Sequence, residues 1–307
     1  MGAVVAGFGT IGIVIALGYV LARTGVLGPD SRDLLSRTVF FVATPCLLFT
    51  TLQQSDPHKL LSGSLIVSAA SVAAVSAVYV TVAGLVWRRS AAHLTIGALS
   101  SSYVNAGNLG IPLAAYVLGN AAPIAPVMLL QLVVLAPVSF AILDTAASGH
   151  RPSFMQLLGV PLRNPVTLAS LLGLVVAMTG WTPPRIVDEP IALIAGMAVP
   201  AALLAYGGSL RGAPRVGAGG SHNEVAVVAL LKNVGQPLVA WAVARFVFGL
   251  TGTPLLAAVM TAALPTAQNV FVYAVRYDRA VALARDAVAV TTLLSVPAVF
   301  VIAAVLG

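Results

Sequence analysis

Apolar residues run in long unbroken stretches along this chain. Five such stretches, near 4–22, 34–53, 63–87, 94–118 and 124–146, are followed by five more near 165–181, 190–209, 225–248, 254–275 and 281–306. Each is close to the ~20 residues that a helix needs to cross a ~30 Å hydrocarbon layer. Short polar or turn-rich segments separate them, among them Arg23–Asp33, Gln53–Lys59, Trp87–His93 and Arg211–Asn223. The stretches are continuous and do not alternate, which favours helices over the strands of a membrane barrel. The pattern predicts an all-α polytopic membrane protein with ten transmembrane helices, five on each side of the polar segment Ser148–Arg163. The first stretch lacks a basic leading segment and is followed by nine others, so it reads as retained and not as a cleaved signal.

An odd number of spans per half makes the second half enter the membrane from the opposite side. The prolines support two related halves, 1–147 and 164–307, joined by a cytoplasmic connection at 148–163. Pro45 in span 2 is matched by Pro200 in span 7, Pro112 in span 4 by Pro265 in span 9, and Pro137 in span 5 by Pro297 in span 10, at nearly constant separation. The expected fold is therefore two inverted five-helix repeats.

Spans 4 and 9 carry the chemistry. Span 4 holds Asn105-Ala-Gly-Asn-Leu-Gly-Ile-Pro112, and span 9 holds Leu264-Pro-Thr-Ala-Gln-Asn269. Glycine costs a helix ~1 kcal/mol and proline ~3 kcal/mol relative to alanine. Gly107, Gly110, Pro112 and Pro265, with Pro45 and Pro200 in the paired spans, thus mark expected helix breaks. Lipid cannot satisfy freed backbone groups, so irregular backbone at this depth is buried in protein or lines a wet cavity. Half-helix N-termini present positive dipole ends there, and the amides of Asn105, Asn108, Gln268 and Asn269 can orient a ligand.

Composition narrows the function. The chain has 307 residues, of which 59% are hydrophobic and 8% charged, with a mean hydropathy of +1.00. A water-soluble enzyme carries about a quarter charged residues, so that class is excluded. The net charge of +7 is too thinly spread to make a nucleic-acid face. Its placement is informative instead. Arg23, Arg32, Arg37, Arg88, Arg89, Arg151, Arg163, Arg211, Arg215, Arg276, Arg279 and Arg285 fall in the connections of one side, against Lys59, Arg185 and Arg245 on the other. The arginine-rich side is expected in the cytoplasm of a cell that carries the protein in its inner or plasma membrane, with both termini outside. Lys232 alone lies well inside a span, with Gln236 one turn later on the same face. Both are candidate contacts for an anionic substrate.

Other side chains look structural. Arg37 and Asp144 fall at span ends, Gln131 reads as packing glue in span 5, and Tyr19, Tyr79 and Trp87 suit an aromatic belt. No catalytic residues are expected, and no metal or other cofactor. His58, His93, His150 and His222 sit in or beside loops, Glu189 and Glu224 at span edges, and Cys46 is alone. No span shows a deep acid. Serines 100–102 lack a histidine base, and no metal-binding or nucleophile motif occurs. A secondary transporter is the leading reading. A passive anion channel is the alternative, with an intramembrane enzyme further behind.

At the broken spans the chain resembles the auxin efflux carrier family, which includes plant PIN-type exporters and bacterial organic-acid permeases. The resemblance rests on Ser102-Tyr-Val-Asn-Ala-Gly-Asn-Leu-Gly-Ile-Pro112, on Leu264-Pro-Thr-Ala-Gln-Asn-Val-Phe-Val-Tyr-Ala-Val-Arg-Tyr277, on Thr44-Pro45, and on Lys232 with Pro237. It implies scaffold helices 1, 2, 6 and 7 that form a homodimer. It also implies a mobile transport domain of helices 3–5 and 8–10 in which 4 and 9 cross, moving as an elevator. The implied cargo is a small organic anion, a malate- or malonate-like acid or an auxin-like carboxylate. The partners are then that anion, the lipid bilayer and a second copy of the chain. The short Ser148–Arg163 connection favours the bacterial branch over the plant exporters with their long loop.

Overall fold

The computed structural model describes residues 2–28, 31–54, 63–148, 164–211 and 222–307, and among these its regular elements are helices, with one isolated β-bridge. The first half contains α1 (Gly2–Thr24), α2 (Ser31–Thr38), α3 (Thr44–Gln53), α4 (Leu65–Leu85), α5 (Ala91–Ser102), α6 (Ile111–Leu113), α7 (Ala125–Leu129) and α8 (Ala136–Ser148). The second half contains α9 (Pro165–Thr179), α10 (Arg185–Gly196), α11 (Ala198–Leu210), α12 (His222–Leu230), α13 (Gln236–Ala242), α14 (Gly252–Ala262), α15 (Gln268–Tyr277) and α16 (Val281–Leu306). Five stretches are each long and apolar enough to cross a membrane: Leu65–Leu85, Ala122–Ala146, Arg185–Gly208, His222–Val247 and Val281–Leu306. Shorter apolar helices cover Gly12–Thr24, Val39–Gln53, Ala106–Leu118, Pro165–Thr179 and Gly252–Ala262. The expected connection at 148–163 lies outside the described residues from 149 onward, as do His58, Lys59, His150, Arg151, Arg163 and Arg215.

Local chemistry explains many of the boundaries. Asn164 caps α9: its Oδ1 accepts from the backbone N–H of Val166 and Thr167, and Pro165 takes the first helical position, where no N–H is needed. Ser90 caps α5 by accepting from the N–H of His93. Four prolines share a different solution. Wide π-type turns at Val39–Ala43, Ala106–Gly110, Leu130–Leu135 and Leu231–Gly235 each end two residues before a proline, at 45, 112, 137 and 237. A proline ring removes one N–H and crowds the carbonyl four residues back. The wider turn accommodates both effects without ending the helix.

This corrects one expectation. The chain stays helical from Ala106 to Leu118 and from Ser31 to Gln53, so Pro112 and Pro45 sit in widened helices and not at breaks. Gly107 and Gly110 lie within the turn before Pro112. Pro200 stands near the start of α11, after a single-residue interruption at Met197.

The chain divides into two compact units. The first gathers Met1–Ser62, Ala106–Leu129 and Pro161–Ala213. Within it, α1 lies along α11, and α3 lies against α9 and α10. A Cβ on Gly18 would strike the backbone of Leu204, and one on Gly207 the backbone of Ile15. Two glycines therefore let α1 and α11 approach to backbone contact, the usual device where no water drives helices together. Gln53 donates to Asp188 at 2.8 Å, and a cavity of about 610 Å³ opens between Thr50, Thr51, Gln54, Asn120, Ala195 and neighbouring residues.

The second unit gathers Gly63–Asn105, Leu130–Val160 and Pro214–Gly307. Its apolar core forms three patches. One joins α5, α8, α15 and α16 around Ile96, Val270 and Ala284. Another joins α4, α13 and α14 around Val67, Ala240 and Val259. A third joins α4, α12 and α16 around Tyr79, Val228 and Ala287.

Candidate functional site: a clasp between two interrupted helices

Within the second unit α5 stops at Ser102 and α14 stops at Ala262; the chain beyond α5 is extended at once, and beyond α14 it is extended after a turn at Ala263–Leu264. Tyr103 takes φ −81° and ψ 107°, and Ala267, just before α15, takes φ −69° and ψ 142°. The two extended pieces pair as an antiparallel bridge between Val104 and Thr266. Asn105 N–H donates to the carbonyl of Pro265 at 2.8 Å, and Ala267 N–H donates to the carbonyl of Tyr103 at 3.0 Å. Two interrupted helices are thus clasped through their backbones.

Buried side chains meet one further carbonyl of the clasp and three at the helix ends beside it. Thr266 Oγ1 donates to Ser100 O at 2.6 Å. Gln131 Nε2 donates to Val104 O at 2.9 Å. Gln236 Nε2 donates to Ser102 O at 3.0 Å. Lys232 Nζ donates to Gln236 Oε1 at 2.6 Å and to Ala262 O at 2.9 Å. The N–H of Thr266 reaches Thr291 Oγ1 at 3.0 Å. Nothing inside a bilayer offers these groups a substitute partner, so each bond carries the penalty of a bare carbonyl if it is lost. The hydroxyls of Ser100, Ser101 and Ser102 bond back to the carbonyls of Ile96, Gly97 and Ala98, one turn earlier on their own helix.

The expected site residues separate into two groups. Asn105, Pro265, Gln268, Asn269, Lys232 and Gln236 belong to the second unit. Asn105 is buried in the clasp, Pro265 lies between the two half-helices, and Gln268 and Asn269 open α15, half-buried and exposed respectively. Asn108, with Gly107, Gly110 and Pro112, belongs to the first unit, on the far side of a boundary that falls between Asn105 and Ala106, as do Pro45 and Pro200. Thr266 and Thr291, not singled out from the sequence, complete the clasp together with Gln131, whose mid-span position left open that it faces the crossing. A polar side chain in the middle of an apolar stretch was the available signal for all three. Beside the clasp, Tyr103, Tyr273 and Phe140 stack edge to face, with ring centroids 6.4 and 4.8 Å apart along the series. Arg276 lies over the rings of Phe140 and Tyr277, and Tyr277 donates to Asp144 at 2.8 Å.

A buried charge cluster lies at the other end of α5. Glu224, only 1% exposed, accepts from Tyr79 Oη at 2.6 Å and from Arg89 at 2.7 Å, and its Oε1 lies 2.7 Å from His93 Nε2. A carboxylate has no proton to give, so this last contact requires the hydrogen to sit on Nε2. One expectation is corrected here: Tyr79 is fully buried and not part of an aromatic belt. His93 stands in the first turn of α5, beside the loop, and Glu224 is at a span edge as expected but enclosed. Asp286 is likewise buried, beside Arg285 at 2.8 Å.

Residues 9–160 and again residues 151–303 match the family described as membrane transport protein. The chain belongs to this family, the auxin efflux carriers. It is a multi-pass membrane transporter and not an enzyme. A Rhizobium meliloti (strain 1021) protein named "Putative malonate transporter" is 27% identical over 294 residues, which cover 93% of this chain and 90% of that protein. An "Uncharacterized transporter" of Methanothermobacter thermautotrophicus is 26% identical over 295 residues, 92% of each chain. Of the residues that carried the resemblance, Ser102–Asn105 and Leu264–Ala267 build the clasp, whereas Ala106–Pro112 and Thr44-Pro45 belong to the first unit.

Proposed function

We propose that the protein carries a small organic anion across the membrane by alternating access, with its site at the crossing of spans 4 and 9. Malonate- or malate-like acids are the leading cargo, with auxin-like carboxylates as further members of the class. The observation that carries this reading is the clasp. It stops two helices inside an apolar body and starts α15 beside them with no side chain capping its first turn. That helix start presents backbone N–H groups and the positive end of its dipole to a carboxylate. Asn105, Gln268 and Asn269 supply amides to orient it, and the Tyr103–Tyr273–Phe140 wall suits its carbon body. The malonate transporter name of one relative supports the same cargo class.

The architecture we propose is ten spans in two inverted repeats, with the termini outside and the arginine-rich connections in the cytoplasm. The five long and five shorter apolar helices support the count. With it we propose a scaffold of spans 1, 2, 6 and 7 and a moving part of spans 3–5 and 8–10. The grouping of Met1–Ser62 with Pro161–Ala213 supports the scaffold, while Ala106–Leu129, the latter half of span 4 and the start of span 5, groups with the scaffold spans. An elevator motion and a homodimer through the scaffold belong to the same proposal.

Purified protein in liposomes tests the reading. Radiolabelled malonate should enter saturably and exchange against internal malonate, and Asn105→Ala should abolish both. Unsaturable flux without exchange would favour a channel and overturn the proposal.

A further inference from the structure

Lys232 is completely enclosed, and its ammonium is already engaged. It donates to the carbonyl of Ala262, the last residue of α14, and to Oε1 of Gln236, while Gln236 donates through Nε2 to the carbonyl of Ser102, the last residue of α5. The four groups form one relay from the end of one interrupted helix to the end of the other, through side chains of a third. Each helix end concentrates about half a negative charge on its unsatisfied carbonyls. A single ammonium beside two such ends is their electrostatic complement.

We propose that Lys232 and Gln236 are positioning residues of the transport site. They hold the ends of α5 and α14 at the separation that the Val104–Thr266 clasp requires, and they do not meet the cargo's carboxylate. The proposal rests on the reading that this crossing is the transport site. The amide of Gln236 is oriented by its two partners, since its oxygen faces a donor and its nitrogen faces an acceptor. Neither residue is replaceable by its partner's chemistry. Glutamate at 236 would keep the lysine bond and lose the donor to Ser102. Methionine at 232 would fill much of the space and leave Ala262 bare.

The test compares wild type with Lys232→Met, Gln236→Glu, Gln236→Leu and the double variant Lys232→Met/Gln236→Leu. Hydrogen exchange is read on peptides that contain the clasp amides of Asn105 and Ala267. Malonate and its singly charged monomethyl ester are used in binding and counterflow. A positioning role predicts that all variants speed exchange of the clasp amides about tenfold or more. It also predicts that Lys232→Met and Gln236→Leu weaken both anions by equal factors, and that the double variant is no worse than the poorer single one. Lys232→Met that weakens the dianion far more than the ester, with clasp exchange at the wild-type rate, would overturn it. Should wild type bind neither anion, the cargo reading fails by itself, and the exchange measurement still decides the role of the pair. If Lys232→Met does not fold, the two Gln236 variants decide it.

Discussion

Tyr79 reaches the carboxylate of Glu224 across the bare backbone of Gly97. The phenol oxygen lies 2.6 Å from Oε1, and a Cβ placed on Gly97 would fall within the ring. The bond that joins α4 to α12 therefore depends on a residue in α5 that takes part in it only by lacking a side chain.

Gly97→Ala is expected to destabilise the protein by about 1–3 kcal/mol, the range for inserting a methyl into a packed interior. Gly107→Ala is the control, because nothing lies within 4 Å of its added methyl and the helix gains up to ~1 kcal/mol from alanine. Thermal unfolding in detergent should separate the two. Equal melting temperatures would show that the Tyr79 ring has room to move.

Glu224→Ala removes an acceptor shared by three donors from three different segments. Breaking a buried pair costs about 3–5 kcal/mol. Arg89 and His93 are partly exposed, which places the expected loss at the lower end. Glu224→Gln keeps one acceptor oxygen and should cost clearly less. Melting curves of both variants, with Arg89→Lys beside them, check the order, and a loss in Gln as large as in Ala would contradict it.

Gln131→Leu strips the partner from the buried carbonyl of Val104, and Thr266→Val strips it from that of Ser100. Each should cost about 1–3 kcal/mol, the penalty for an orphaned buried polar group. Because both act on the clasp, their effects should be non-additive. Hydrogen exchange at the Asn105 and Ala267 amides, measured on both singles and the double, tests this; strict additivity would mean that the two carbonyls are held independently.

Gly18→Val and Gly207→Val are expected to force α1 from α11, since each new side chain meets backbone and not a movable side-chain tip. A disulfide between cysteines introduced at closely packed positions of α1 and α11 should form readily in the parent and poorly in either variant. Unchanged cross-linking would show that the two backbones are able to separate without loss.

Much of this molecule was legible in its apolar runs. Their length announced membrane helices, and the polar residues inside spans 4 and 9 announced that those two helices stop. The exact place of stopping was not legible. Pro112 looked like the break, yet a widened turn absorbs it, and span 4 is interrupted at Tyr103–Asn105 instead. Periodicity cannot distinguish a proline that ends a helix from one that stretches it. The i and i+4 spacing of Lys232 and Gln236 placed them on one face, but their bonds to Ala262 and Ser102 were not legible, because those side chains are unremarkable and only their carbonyls matter. Glu224 was hidden for a similar reason. Its partners stand 131 to 145 positions away, and each looked like an ordinary residue at the margin of a span.

The clasp between Val104 and Thr266 has one further consequence. Its two hydrogen bonds join peptide groups, which every residue except proline possesses in the same form. A side-chain substitution at any of the four partners leaves those donors and acceptors in place, provided that no proline enters at 105 or 267. On the proposed reading of the crossing as the transport site, the side-chain amides that would meet a cargo are separate atoms from the peptide groups that form the joint.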